Sequence, residues 1–226
     1  MIKRSFFLKP LSALTIAAAA MTCNGTALAA DITGAGATFP YAVYTQWAEA
    51  YQTATRKQVN YQGIGSSGGV KQIKARTVDF AGTDAPLKES ELASAGLVQV
   101  PTVMGGVTLV VNLPGIPSGK LRLDGTTAAE IFRGAISRWN APAIAEQNPG
   151  LKLPDLAITL AHRSDGSGTT AAFADYLARQ SPAFRSAVGV GTTVNWPANA
   201  VGGKGNPGVA ANVQKIAGAI GYVDIA

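Results

Sequence analysis

The chain has 226 residues, 47% of them hydrophobic and 14% charged, with 26 Gly and 12 Pro. That balance is that of a globular protein and excludes a disordered or fibrous chain, and the length accommodates one large domain or two small ones. The 19 Lys and Arg against 13 Asp and Glu give a formal charge of +6, which taken alone favours a polyanionic partner such as nucleic acid or a membrane surface.

Half of that charge lies in the first 30 residues. Lys3, Arg4 and Lys9 precede an apolar stretch from Leu11 to Met21, and Ala27-Leu28-Ala29 supplies a small-x-small cleavage site. This is the layout of a secretory signal peptide, cleaved after Ala29 or Ala30. Thr22, Asn24 and Gly25 end the run before the ~18 apolar residues that a membrane span needs, so an exported protein is expected. Cys23, the single cysteine, falls inside this segment, and Ala20-Met21-Thr22 departs from the small-residue pattern of a lipid-modified cysteine. The mature chain is therefore expected to lack disulfides and thiol chemistry. Without the signal, 16 basic residues face 13 acidic ones. The basic residues are scattered, no run resembles a nucleic-acid arm, and no nucleic-acid partner is expected.

Beyond the signal, β-like runs at 59–63 (VNYQG), 78–84 (VDFAGTD), 107–112 (VTLVVN), 157–163 (AITLAHR) and 219–226 (AIGYVDIA) alternate with helical patterns. The alternation predicts an α/β fold. Tyr41, Tyr44, Trp47 and Tyr51 recur at helical spacing, as do Val70, Ile73 and Lys74, then Phe173, Tyr176 and Leu177. These aromatics are expected in the core. Thr127-x-x-Glu130 reads as a capping box for a helix around Ile131 and Phe132, and Asn206-Pro207 as the cap of a helix running through Val209 and Val213 to Gly218.

Three glycine-rich segments, TGAGATFP at 33–40, GIGSSGG at 63–69 and SDGSGT at 164–169, each stand between a predicted strand and a predicted helix. A helix start of that kind presents unpaired amides and a partial positive charge, so it binds anions without a lysine. Thr38, Ser66, Ser67, Ser167 and Thr169 add hydroxyl donors, although Ser, Thr and Gly are also ordinary capping residues. GIGSSG also matches a dinucleotide-binding pattern with Asp84 as the ribose acid, but that pattern is short and the chain is read as exported. Gly65-Ser66-Ser67-Gly68-Gly69 fits a hydrolase nucleophile elbow around Ser67. Its base would have to be His162, the single histidine, which abuts Arg163 and reads better as a surface or strand-end residue. No Gly-Lys is followed by Ser or Thr, which removes a phosphate-binding P-loop. One His, no mature Cys and no clustered carboxylates leave no metal-ligand spacing, and no cofactor is expected.

The stretches ITGAGATFPYAVYTQWAEAYQ, VNYQGIGSSGGVKQIKARTVDFAGTDAPL and HRSDGSGTTAAFADYL, extended by VPTVMGGVTLVVNLPG and WPANAVGGKGNPGVAANVQKIAGAIGYV, closely resemble the periplasmic phosphate-binding proteins of phosphate ABC transporters. The resemblance covers essentially everything after the signal. It implies an α/β, two-lobed periplasmic binding protein fold of type II-like form, with one phosphate between the lobes. On this pattern residues 31–107 form the first part of lobe 1, residues 108–218 lobe 2, and residues 219–226 a second hinge-crossing strand. Family members run about a hundred residues longer, within the span of two α/β lobes. The first lobe is therefore expected to be incomplete here.

Position by position, the resemblance implies that Thr38, the Phe39 amide, Ser66 and Asp84 hold phosphate from lobe 1, and Arg163, Asp165, Ser167, Gly168 and Thr169 from lobe 2. Asp84 would choose the anion, since a carboxylate in an anion site repels any ligand that brings no proton to share. Arg163 and Asp165, two apart on a turn, are expected to pair; Phe39 is read as a cleft wall and Trp196 as packing. The implied role is a monomeric, non-enzymatic binding protein that delivers phosphate to membrane permease subunits. The alternatives are a protein for another oxyanion (sulfate, molybdate or phosphonate), a phosphate scavenger or sensor without a transporter, and a secreted hydrolase or phosphatase using Ser67.

Overall fold

The computed structural model describes residues 32–225, so the signal peptide assigned to residues 1–30, with Cys23, lies outside the described residues. The described chain opens with β1 (Ile32–Gly36), α1 (Tyr41–Thr55), β2 (Val59–Gly63), α2 (Ser66–Lys74), β3 (Phe80–Gly82) and α3 (Glu89–Ala95). The three strands form a parallel sheet with β1 between β2 and β3. Since α1 connects β1 to its neighbour on one side and α2 carries the chain across to β3 on the other, right-handed crossovers place the two helices on opposite faces.

The second sheet is built from β4 (Val107–Val111), α4 (Gly125–Phe132), α5 (Pro142–Ala145), β5 (Thr159–Arg163), α6 (Gly168–Gln180), α7 (Pro182–Ala187), β6 (Val201–Gly203), α8 (Gly205–Lys215) and β7 (Ala219–Asp224). Its strand order is β4-β7-β5-β6, with β7 parallel to β5 and antiparallel to β4. The β4–β7 pairing runs from Val107 opposite Asp224 to Val111 opposite Ile220. It returns β7 to the point where the chain left the first sheet, and there the Ile225 amide donates to the Gly106 carbonyl at 2.9 Å.

The main core belongs to the second sheet. Trp139, Tyr222, Phe132, Phe184, Ile131 and Ile144 are fully buried there. Phe173 lies edge-on to Phe132 at 4.8 Å and stacks on Tyr222 at 4.6 Å. Ala219 to Val223 are buried without a break, the pattern of a strand covered on both faces. Trp139 anchors the turn before β7 by donating from Nε1 to the Gly218 carbonyl at 2.9 Å. No helix among the described residues is long and apolar enough to cross a membrane.

Three expectations need correction. The α1 aromatics are not core: no residue of α1 is buried, and Tyr41 and Trp47 are each about half exposed. A three-stranded sheet covers only one row of this helix, where Tyr44 meets Tyr61 at 4.8 Å and Phe80 at 6.1 Å. Tyr176 on α6 is likewise exposed, while Phe173 and Leu177 are buried as expected. The α4 cap is not Thr127 but Asp124, whose side chain accepts from the Thr127 amide at 2.7 Å. Glu130 instead pairs with Arg133 and accepts from Ser181 Oγ at 3.2 Å. Finally, α8 starts at Gly205 and ends at Lys215, with no side-chain cap, and Asn206 is engaged elsewhere.

The Thr127 amide holds the Asp124 carboxyl below its usual range, as expected of a working cap. Asp124→Ala should cost about 1 kcal/mol of stability, read as a lowered urea midpoint at neutral pH. An unchanged midpoint would contradict the cap assignment.

Candidate functional site at the meeting of the two lobes

The three glycine-rich segments do stand between strands and helices: 37–40 joins β1 to α1, 64–65 joins β2 to α2, and 164–167 joins β5 to α6. They are also where the two lobes touch. Asp84, just beyond β3, accepts from Ser66 Oγ at 2.9 Å and from Thr169 Oγ1 at 3.0 Å, so one carboxylate gathers hydroxyls from both lobes. Ser66 Oγ in turn accepts from the Gly168 amide at 3.1 Å. A carboxylate offers about four lone-pair directions, so Asp84 keeps capacity for a further donor.

This approach requires glycine on both sides. A Cβ at Gly168 would stand 2.5 Å from Asp84 Cγ and 2.7 Å from Ser66 Oγ. Gly65 has φ +90°, and its Cβ would meet Asp165 Oδ2 at 2.2 Å. Side chains at these two positions would wedge the lobes apart.

The second half of the network surrounds Arg163 at the end of β5. Its Nε donates to Asp165 Oδ1 at 2.8 Å and its Nη2 to Oδ2 at 2.5 Å, the two-pronged geometry of an Arg–carboxylate pair. The Arg163 side chain is 1% exposed and that of Asp165 15%. A pair taken out of water survives only if its remaining donors and lone pairs are satisfied. Here Asp165 Oδ1 also accepts from the Gly205 amide at 3.0 Å. Arg163 Nη1 reaches Asn206 Oδ1 at 3.2 Å and Thr169 Oγ1 at 3.5 Å, and the Arg163 amide donates to Tyr222 Oη at 3.2 Å. Among the described residues, no buried side-chain nitrogen or oxygen lacks a hydrogen-bond partner.

The electrostatics follow from these contacts. Burial pulls the Asp165 carboxyl upward, but the Arg163 hydrogen bonds, the Gly205 amide and the guanidinium charge outweigh it and hold it below the ordinary carboxylate value. Burial pushes the Tyr222 phenol up, so it stays neutral and bridges Arg163 to Thr170, whose Oγ1 lies 2.6 Å away. One guanidinium against Asp84 and Asp165 leaves the side chains of the site at a formal charge of −1 in the midst of many amide and hydroxyl donors.

Seven of the nine expected residues, Thr38, Ser66, Asp84, Arg163, Asp165, Gly168 and Thr169, fall into this connected network. Thr38 joins through Asn206, whose Nδ2 donates to Thr38 Oγ1 at 3.1 Å. The other two flank it. Ser167 is buried and caps α6, its Oγ accepting from the Thr170 amide at 3.1 Å. Phe39 follows Thr38, with its ring against the backbone at Gly105. The sequence places neither the Gly205 amide nor Tyr222 in the site, and offers Asn206 only as a helix cap. GGKGNPG is a fourth glycine-rich passage from strand to helix, and that shared pattern was the available signal for Gly205 and Asn206.

The competing motifs lead elsewhere. Asp84, the ribose acid of the dinucleotide pattern, is taken up by Ser66 and Thr169. Ser67 Oγ donates to Thr192 Oγ1 at 3.1 Å, while His162 Nδ1 lies 2.8 Å from the Arg163 carbonyl and its ring leans on Trp196. Among the described residues no group of three or more His, Cys, Asp or Glu is placed to hold a metal.

Removing Asp165 should leave a buried guanidinium uncompensated. Asp165→Asn is expected to cost about 3 kcal/mol at pH 7. Because the folded carboxyl lies below its unfolded value of 3.8, the contribution is present above that pH and is lost as pH falls through the depressed folded value. Denaturation of both proteins at pH 7 and at strongly acid pH should show a gap that narrows on acidification; a constant gap would contradict the pairing.

Residues 22–226 match a family model described as a PBP superfamily domain. A phosphate-binding protein PstS of Xylella fastidiosa is 55% identical over 195 residues, covering 86% of this chain and 53% of the relative. A phosphate-binding protein PstS of Haemophilus influenzae is 47% identical over 226 residues, covering 100% of this chain and 64% of the relative. The chain thus spans between 53% and 64% of the length of these two curated relatives. Among solved structures, a high affinity periplasmic phosphate-binding protein (PfluDING) bound with phosphate superposes with a TM-score of 0.67 at 26% identity, over 85% of this chain and 56% of that one. With the two-lobed α/β arrangement and the family match in agreement, the chain belongs to the PBP superfamily.

Proposed function

We propose that this chain binds inorganic phosphate between its two lobes, in the periplasm after export, and delivers it to the membrane permease subunits of an ABC transporter. On this reading the chain is a binding protein rather than an enzyme, and it acts as a monomer. The lobes open and close about the strands that cross between them, β4 and β7. Thr38, the Phe39 amide, Ser66 and Asp84 hold the anion from the first lobe, and Arg163, Asp165, Ser167, Gly168 and Thr169 from the second. The names and bound ligand of the relatives described above support this assignment.

The observation that carries it is the position of Asp84. The helix starts and Arg163 carry donors suited to an oxyanion, yet the acceptor-only carboxylate of Asp84 sits among them and draws the Ser66 and Thr169 hydroxyls to itself, so those hydroxyls turn from it when an anion enters. A fully deprotonated anion would face uncompensated repulsion there. Phosphate at about pH 7 still carries a proton, and P–OH can donate to Asp84; sulfate has nothing to donate. A site built around such a hydrogen bond rejects the analogue lacking it by about 10⁴-fold, because the acceptor is left unpaired. Arg163 is held by Asp165, so it contributes directed donors with little net positive charge. That disfavours indiscriminate anion capture.

Calorimetric titration of the wild-type chain and of Asp84→Asn with phosphate and sulfate tests the reading. The wild type should bind phosphate with strong preference. The variant should bind phosphate more weakly, and its preference should shrink by at least about tenfold. An unchanged ratio would remove Asp84 from the role.

A further inference from the structure

Asn206 touches both lobes at once. It is 5% exposed and stands in the first turn of α8, where its side chain makes no capping bond. Its Oδ1 accepts from Arg163 Nη1 at 3.2 Å, and its Nδ2 donates to Thr38 Oγ1 at 3.1 Å. The Asn206 amide nitrogen approaches the same Thr38 oxygen at 3.5 Å.

The chemistry of the partners fixes the direction of every one of these bonds. A guanidinium donates and never accepts, so the carboxamide must turn its oxygen to Arg163 and its nitrogen to Thr38. Thr38 Oγ1 is then compelled to accept, and its own hydrogen must point away from Asn206. Resting on the phosphate-binding reading above, we propose that Asn206 is a positioning residue that makes the Thr38 hydroxyl a committed donor toward the bound oxyanion. Arg163, Asn206 and Thr38 thereby form a one-way chain of donors that ends on the ligand and crosses from one lobe to the other. The same bonds tie closure of the lobes to the orientation of Thr38, because Thr38 meets Asn206 only when the lobes are together.

The test uses the whole chain and phosphate as the probe, with calorimetric affinity and thermal midpoint recorded for each variant. Asn206→Ala and Thr38→Val should each weaken binding by about ten- to a hundredfold. The double variant should be no weaker than the weaker single one, because both remove the same donor. A purely structural role for Asn206 would give additive losses in affinity.

Asn206→Asp keeps the volume and the Arg163 contact but presents an acceptor to Thr38 at neutral pH. Arg163, Asp165, Lys204 and Asp224 are the charged groups around this position. Protonation of the introduced carboxyl restores a donor; because the Arg163 guanidinium beside it holds that carboxyl below the ordinary value of about 3.9, affinity relative to wild type should recover only as pH falls below that value. This profile carries the test if Asn206→Ala does not fold. Losses within twofold, additive losses, or a flat relative profile would overturn the proposal while leaving phosphate binding intact. Absence of phosphate binding by the wild-type chain would overturn both.

Discussion

A guanidinium that is 1% exposed must be neutralised and fully hydrogen-bonded to be tolerated, and the way Arg163 meets that demand organises both lobes. Asp165 supplies the charge. The start of α8 supplies the Gly205 amide to Asp165 and the Asn206 oxygen to Arg163, while Tyr222 on β7 accepts from the Arg163 amide. These partners come from the turn after β5, the start of α8 and β7, so the three are locked in register around one buried ion pair. Asn206 then passes the arrangement on to Thr38 in the first lobe.

Beside it sits a network of opposite polarity. Every bond of the Arg163 side chain runs outward from a donor. Around Asp84 the hydroxyls of Ser66 and Thr169 run inward to an acceptor. An anion placed between the two would meet donors on one side and a carboxylate on the other, an asymmetry that only a protonated oxyanion satisfies. On the proposed reading, selectivity and affinity have separate origins: Arg163 and the backbone amides would attract any tetrahedral anion, and Asp84 would exclude those with no proton. Glycine at 65 and 168 lets the two networks approach closely.

Much of this is legible along the chain. Short β-like runs mark β2, β4, β5 and β7, and the glycine-rich passages mark the helix starts that meet at the site. Capping was misread because a capping box is a short pattern that fits more than one register: Asp124 stands three residues before Thr127 as naturally as Thr127 before Glu130. The aromatic row on α1 has the period of a core helix, but periodicity does not say how wide a sheet lies beneath it. Asn206 was out of reach for another reason. Its partners are 43 and 168 positions away, and nothing local distinguishes an asparagine that caps a helix from one that bridges two lobes.

The central claim is that one phosphate is held where the two networks meet, with its proton directed at Asp84. A crystal structure of the chain grown with phosphate tests this most directly. The account predicts the phosphorus between Thr38 and the start of α6, with one phosphate oxygen within hydrogen-bond distance of an Asp84 carboxylate oxygen and others bonded to Arg163 and the Gly168 and Thr169 region. Phosphate bound elsewhere, or bound here with Asp84 turned away, would contradict it.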